Sequence, residues 1–395
     1  MPSRPAPTAK LVCLMLLVAL AASLLVRANL SFDPLAVHET SVLSANAFTW
    51  LREFSYITLA ALSALFLVKT NRGAAFLFAL TTYVALCITR MTIIDGDIQK
   101  AVYGVRVVVV ALAFPALLYL AKKQLGQANK LVSIAIKVSL LALGAVAIYQ
   151  AMTFPGHWGS TMIGARANGV YSNPITFSMV IASLACVIYM TGERRAKYWL
   201  LYCLALTLLT GGRAGILSTF VVCMAAFLPR RFSRKSIITA GAILLLPITF
   251  IIISDQRISG REGAQAGGLQ DGRLNVWSGI MKSFDGLPDL LVGTGVGDGT
   301  NAARSYSGSD AATISDSTFI MLLRSFGAVG LSAYLAWILY LSRRVEFRGY
   351  VVLMAFVCCC AAQSMPEMHP AYLMFCYSLA LSLARKSNQP GRNVT

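Results

Sequence analysis

The chain alternates between apolar runs and short polar gaps along almost its whole length. The runs are about 16–22 residues, the length a helix rising about 1.5 Å per residue needs to cross the hydrocarbon core of a bilayer. They fall at 11–26, 50–68, 74–89, 101–121, 131–152, 172–190, 197–211, 213–229, 236–254, 317–342, 349–364 and 369–384. The pattern predicts an all-α polytopic membrane protein with about twelve transmembrane helices, a single integral membrane domain over 1–395. An even number of spans puts both termini on one side. One gap, 255–316, is long and polar, and is expected to form a large loop between the ninth and tenth spans.

Composition agrees: 57% of the 395 residues are hydrophobic and 13% charged, too apolar for an ordinary soluble domain. The net charge of +18 would suggest nucleic acid if the chain were soluble. Its distribution excludes that partner. The gaps on one side carry 20 basic residues, from Arg4 to Arg392, against Glu193 and Glu346. The other side and its adjoining helix ends hold 13 basic and 14 acidic residues, and Lys137 lies inside a span. A one-sided Lys/Arg excess marks the cytoplasmic face, so 255–316 is expected to face outward. All nine cysteines fall in apolar runs, which implies neither a disulfide framework nor a metal site. Arg4 and Lys10 before an apolar run imitate a signal peptide, but dropping that run spoils the charge alternation.

Arginines on the outward side or in the bilayer are the informative residues, because charge there is costly. Arg166 lies in "GARANGVYSNP", Arg213 in "LLTGGRAGIL", Arg273 in "DGRLNVWSGI" and Arg324 within the tenth span. Arg106, in the fourth span, is a weaker candidate, best read as snorkelling to headgroups. Glycines flank Arg166 and Arg213, and irregular backbone at membrane depth is tolerated mainly beside a polar cavity. Asn173 precedes Pro174, which suits a helix start. Guanidinium forks grip phosphate bidentately, so convergent arginines suggest a phosphate-bearing lipid. Asp316 stands at the entrance to the tenth span, as helix cap or as catalytic carboxylate.

Within the long gap, "GRLNVWSGIMKSF" predicts an amphipathic helix with Leu274, Trp277, Ile280, Met281 and Phe284 on one side. Trp277 suits headgroup depth. The glycine run "GTGVGDGT" lacks a dinucleotide-binding context and is read as a flexible turn. "NAARSYSGSDAATISDS" is polar, and Arg304 and Tyr306 in it are placed to contact sugars or simply to be solvated.

The succession "RANGVYSNP", "LLTGGRAGIL", "GRLNVW…GTGVG" and "GAVG" resembles the bacterial O-antigen ligase/polymerase superfamily, over most of residues 160–345. Ligases of that superfamily share a motif of His, then Asn, Ser or Gln, nine residues, Gly, two residues, Gly. Ser317, Gly327 and Gly330 fit it, and Asp316 stands where the histidine would be. The three histidines, His38, His157 and His369, lie elsewhere, the last two on outward loops. Polymerase members often carry Asp there.

The resemblance therefore implies a glycosyltransferase of the bacterial inner membrane with its site facing the periplasm. It would join undecaprenyl-pyrophosphate-linked repeat units into O-antigen or exopolysaccharide, with a chain-length regulator protein as a further partner. Arg166, Arg213 and Arg273 would grip pyrophosphate, and Asp316 would orient or deprotonate the incoming hydroxyl. Arg324, Trp277, Arg304, Tyr306 and Asn173 would contact substrate. No metal or other cofactor is implied. The close alternative is a ligase passing glycan from the carrier to lipid A-core. A transporter is the second alternative; twelve spans suit that class, but the two halves show no repeat.

Overall fold

The computed structural model describes residues 7–25, 47–94, 98–123, 127–153, 167, 170–171, 174–193, 195–227, 278–282, 284–300 and 317–387. The described residues form a helical membrane-protein bundle without strands. Helices α1 (Pro7–Leu25), α2 (Ala47–Val68), α3 (Asn71–Ile94), α4 (Ile98–Ala111), α5 (Phe114–Lys123) and α6 (Gln127–Thr153) come first. Then follow α7 (Pro174–Thr191), α8 (Ala196–Thr210), α9 (Arg213–Phe227) and the short α10 (Leu287–Val292). Helices α11 (Thr318–Arg344), α12 (Phe347–Ala362) and α13 (His369–Ser387) complete the order. Among the described residues seven segments are long and apolar enough to cross a membrane: α1, α2, α3, Gly104–Lys123, Asn129–Thr153, α7 and α11. Helices α8, α9 and α12 are shorter apolar helices. The run 236–254 lies outside the described residues.

Two boundaries have clear physical causes. The apolar run 101–121, expected as one span, is kinked at 112–113 between α4 and α5, and Gly104–Lys123 remains one segment long enough to cross. Pro115 follows, and its ring clashes with a carbonyl one turn back while offering no N–H. The Ala116 amide donates instead to the Ser63 hydroxyl of α2 at 2.9 Å, so the kink leaves that amide satisfied. The expected division of 197–229 occurs at "TGG". Gly211 closes α8 in the left-handed conformation, its N–H donating to Leu208 at 3.1 Å.

Helices α7 and α13 form the centre, apolar on every side and buried along nearly their whole length. They run parallel. At one end Arg385 of α13 donates to the Thr191 carbonyl of α7 at 3.2 Å and lies 3.9 Å from Glu346. The Arg348 guanidinium sits over the Tyr189 ring at 5.7 Å, and the Lys197 ammonium over Phe227 at 5.0 Å. Segments around 191–197, 343–348 and 385–386 thus share a basic end.

Lys137, the basic residue inside a span, reaches that end and pairs with Glu193, which also accepts from Ser133. Partial burial would raise the Glu193 pKa, but the Lys137 and Ser133 bonds outweigh it and hold the carboxyl below its ordinary value. A depressed carboxylate contributes stability above its unfolded pKa and loses it as pH falls through the folded value. Acidification below about pH 4.5 is therefore expected to destabilise the protein through this pair. Glu193→Gln should flatten the acid side of a thermal-midpoint-against-pH curve; an unaltered curve would remove the pair from the account.

Candidate functional site

The opposite end of the bundle gathers the starts of α7, α9, α11 and α13. The parallel run of α7 and α13 fixes two of them. The start of α9 joins them because Gly212 and Gly215 press against Ser178 in the first turns of α7, with no room for a side chain on either glycine. The start of α11 is fastened to the turn before α13. The Thr318 amide and hydroxyl both donate to the Gln363 carbonyl, at 3.0 and 2.7 Å, and its hydroxyl accepts from the Met365 amide at 2.9 Å. Each helix start presents backbone N–H groups and the positive end of its dipole. Four of them at one end make a field that favours anions.

Arg213 is the first residue of α9 and is exposed. A cation at a helix start is opposed by the dipole unless an anion lies between them. Nearby, the Ala167 amide donates to the Leu209 carbonyl at 2.9 Å. Residue 167 follows Arg166, so the "RANG" loop is anchored four residues from Arg213, and Tyr171 of the same loop stacks on Phe177 at 6.0 Å. The helix cap of α11 is Ser317, in extended conformation, with its hydroxyl donating to the Cys360 carbonyl at 3.3 Å. Ser317 holds the cap position, but its hydroxyl is spent on Cys360 and does not cap the helix. Arg166, Asn173, Arg273, Trp277, Arg304, Tyr306 and Asp316 themselves, and His157, lie outside the described residues.

The glycine run is not the flexible turn expected of it. Residues 293–300 are almost entirely buried, wedged between α3, α4 and α11. Gly104 of α4 lets the backbone of Val296 and Gly297 lie directly against the helix, where any Cβ would collide. On the other side the loop enters a break in α11. Gly327 has φ 61° and ψ −169°, and a Cβ there would fall on the Leu291 carbonyl. The break releases helical carbonyls, and other donors take them. Thr294 donates its amide to the Arg324 carbonyl at 2.8 Å, and the Tyr83 hydroxyl of α3 donates to the Phe326 carbonyl. Arg90 of α3 pairs with Asp289 and donates to the Pro288 carbonyl at 3.0 Å, pinning α10.

Arg324, half-buried, lays its stem along Gly299, so the loop and not lipid lines that side of it. Asp298 is only 7% exposed, its carboxylate accepting from the Thr294 hydroxyl at 2.7 Å and its carbonyl from Ser325. Arg106 is not a lone charge. It pairs with Glu53 of α2, as does Arg52 at 2.8 Å. Of the predicted amphipathic helix, 278–282 is helical; on its apolar side Ile280 is buried and Met281 is 52% exposed. His369 opens α13 and is buried against the Tyr56 ring at 5.2 Å, not carried on a loop.

Sequence reasoning passed over Arg52, Glu53 and Asp298. A usable signal existed for the first two: an acid inside an apolar run implies a basic partner in another run, and Glu53 and Arg106 answer to each other. Among the described residues no group of three His, Cys, Asp or Glu side chains is arranged to hold a metal. No model of a known protein family matches the chain, and no curated protein does.

Proposed function

We propose that the protein is a membrane glycosyltransferase that joins undecaprenyl-pyrophosphate-linked repeat units into O-antigen or exopolysaccharide. In this reading twelve spans cross the bacterial inner membrane. Both termini and the basic end are cytoplasmic, the loop 255–316 is periplasmic, and the gathered helix starts face the periplasm. The observation that carries it is Arg213 at the start of α9, in a field of four helix starts and beside the anchored "RANG" loop.

The chemistry asks for little else. A sugar on a lipid pyrophosphate already carries its leaving group. The protein must hold that group, neutralise the charge that grows on it and aim an acceptor hydroxyl at the anomeric carbon. Arg213, with Arg166 and Arg273 from the adjoining loops, serves the first two needs. Asp316, immediately before the α11 cap, serves the third as general base. Gly327 matches the ligase spacing for an architectural reason, since the loop needs the break in α11. The glycine match therefore does not separate ligase from polymerase, and the weight falls on Asp316.

The test is transfer by the purified protein in liposomes, given only a lipid-linked repeat unit. Polymerisation predicts a ladder of carrier-linked products without lipid A-core. Product formed solely when lipid A-core is added would replace this reading with the ligase, and solute uptake without any glycan product would replace it with a transporter.

A further inference from the structure

We propose that Arg52 and Arg106, on α2 and α4, form a second lipid-phosphate site, built on residues other than Arg213 and backed by Tyr56 against the start of α13. The inference does not depend on the polymerase reading.

The helical face of α2 sets the depth. Trp50, Phe54 and Ile57 recur at helical spacing and are 68%, 61% and 59% exposed, which marks the lipid-facing side. Trp50, in the first turn, suits the level of the headgroups. Arg52, Glu53 and Tyr56 lie on the inward side of the same turns. The charged groups are therefore at the depth where lipid phosphates lie, yet shielded: Arg52, Glu53 and Arg106 side chains are 16%, 24% and 18% exposed.

The two guanidinium groups converge. Arg52 donates through Nε at 3.0 Å and Nη2 at 2.8 Å to Oε1 of Glu53, and Arg106 donates through Nη2 to the same oxygen. Two forks aimed at one oxygen form a cradle for an oxyanion, and Glu53 fills the place a phosphate oxygen would take. Behind the cradle the wall is closed. Tyr56 is buried, its hydroxyl 3.2 Å from the Ser23 hydroxyl of α1, and its ring lies against His369. Glu53, next to the exposed Phe54, is the most exposed member of the cluster. Gly104, two residues before Arg106, holds the glycine loop on another face of α4, so a phosphate here would sit one helix from that loop.

The lipid is one with a phosphate at headgroup level, either a polyprenyl pyrophosphate carrier or a bilayer phospholipid. Full-length protein in phosphatidylcholine nanodiscs, carrying Arg213→Gln to silence the mouth, would be titrated with a short polyprenyl pyrophosphate and separately with phosphatidylglycerol. Native mass spectrometry counts the bound copies. One copy of at least one lipid is expected to remain. Adding Arg52→Gln, which keeps the Glu53–Arg106 pair, should weaken it about tenfold. Adding Glu53→Gln removes the competing carboxylate and should strengthen it severalfold. Tighter binding of the pyrophosphate assigns the site to the carrier, and tighter binding of phosphatidylglycerol assigns it to the bilayer. Binding of both lipids that ignores Arg52→Gln overturns the proposal. So does an equal loss from Arg52→Gln and Glu53→Gln, which is what a purely structural ion pair would give.

Discussion

Gly327→Ala is expected to be among the most disruptive single-methyl substitutions in the protein, lowering stability by about 2–6 kcal/mol. Two costs add. Gly327 holds φ 61° and ψ −169°, a region closed to side chains, at about 1–3 kcal/mol. The added Cβ would also meet the Leu291 carbonyl and the Gly293 amide, backbone atoms that cannot swing aside. Relief requires expelling the 293–300 loop from α11, which would leave the carbonyl of Arg324 without the Thr294 amide. Unfed carbonyls at membrane depth cost several kcal/mol each, so the loop and the break stand or fall together. Gly279→Ala is the control, because nothing lies within 4 Å of its new Cβ. It should stay within about 0.5 kcal/mol of the parent. Thermal and denaturant unfolding in detergent would read both. Equal midpoints for Gly327→Ala and the parent would contradict the left-handed break.

If the protein is the glycosyltransferase proposed above, Arg213→Ala is expected to lower glycan transfer about a hundredfold while leaving the fold intact. The side chain is exposed at the start of α9, so its loss opens no cavity. On that proposal, what is lost is a charge-assisted grip on a leaving group that gains charge in the transition state. Removal of one such donor costs about 2.7–4 kcal/mol. Arg213→Lys should recover part of the rate, since a point charge replaces the fork. The drop should appear in kcat as well as KM, because the grip tightens as the bond breaks. Full-length ladders from Arg213→Ala at unchanged protein level would remove this residue from the site.

The helices themselves were largely legible, for a simple reason. A bilayer demands a long apolar run for each span, and such runs cannot be hidden in a sequence. The division at Gly211 and Gly212 was legible too, because paired glycines interrupt an otherwise continuous apolar pattern. The single span over 101–121 was legible as well, since Gly104–Lys123 remains one segment long enough to cross. Proline within a span either kinks the helix or stops it, and here the Ser63 hydroxyl on another helix supports a kink. Periodicity puts Ile280 and Met281 on one apolar face, yet Ile280 is buried and Met281 is 52% exposed, because periodicity fixes a residue's face but not what that face meets.

The site divides in the same way. Arg213 announced itself by its glycines. Arg52, Glu53 and Arg106 did not, because a single charge in an apolar run looks the same whether it snorkels or pairs, and only the packing of α2 on α4 decides which. The "GTGVGDGT" run shows the limit most clearly. In sequence, glycine signals freedom to bend, and a flexible turn follows. In the structure the same residues serve closeness: Gly104, Gly293 and Gly327 let three stretches of backbone touch.

By itself the sequence determined that this is a helical membrane protein, where most helices begin and end, and which end of the bundle is basic. Those features depend on local hydrophobicity and charge, which each segment carries alone. The tertiary structure decided that four helix starts share one end, that the glycine loop is buried in a broken helix, and that two arginines converge on Glu53. Each of these depends on contact between residues far apart in the chain, and no local pattern encodes that contact.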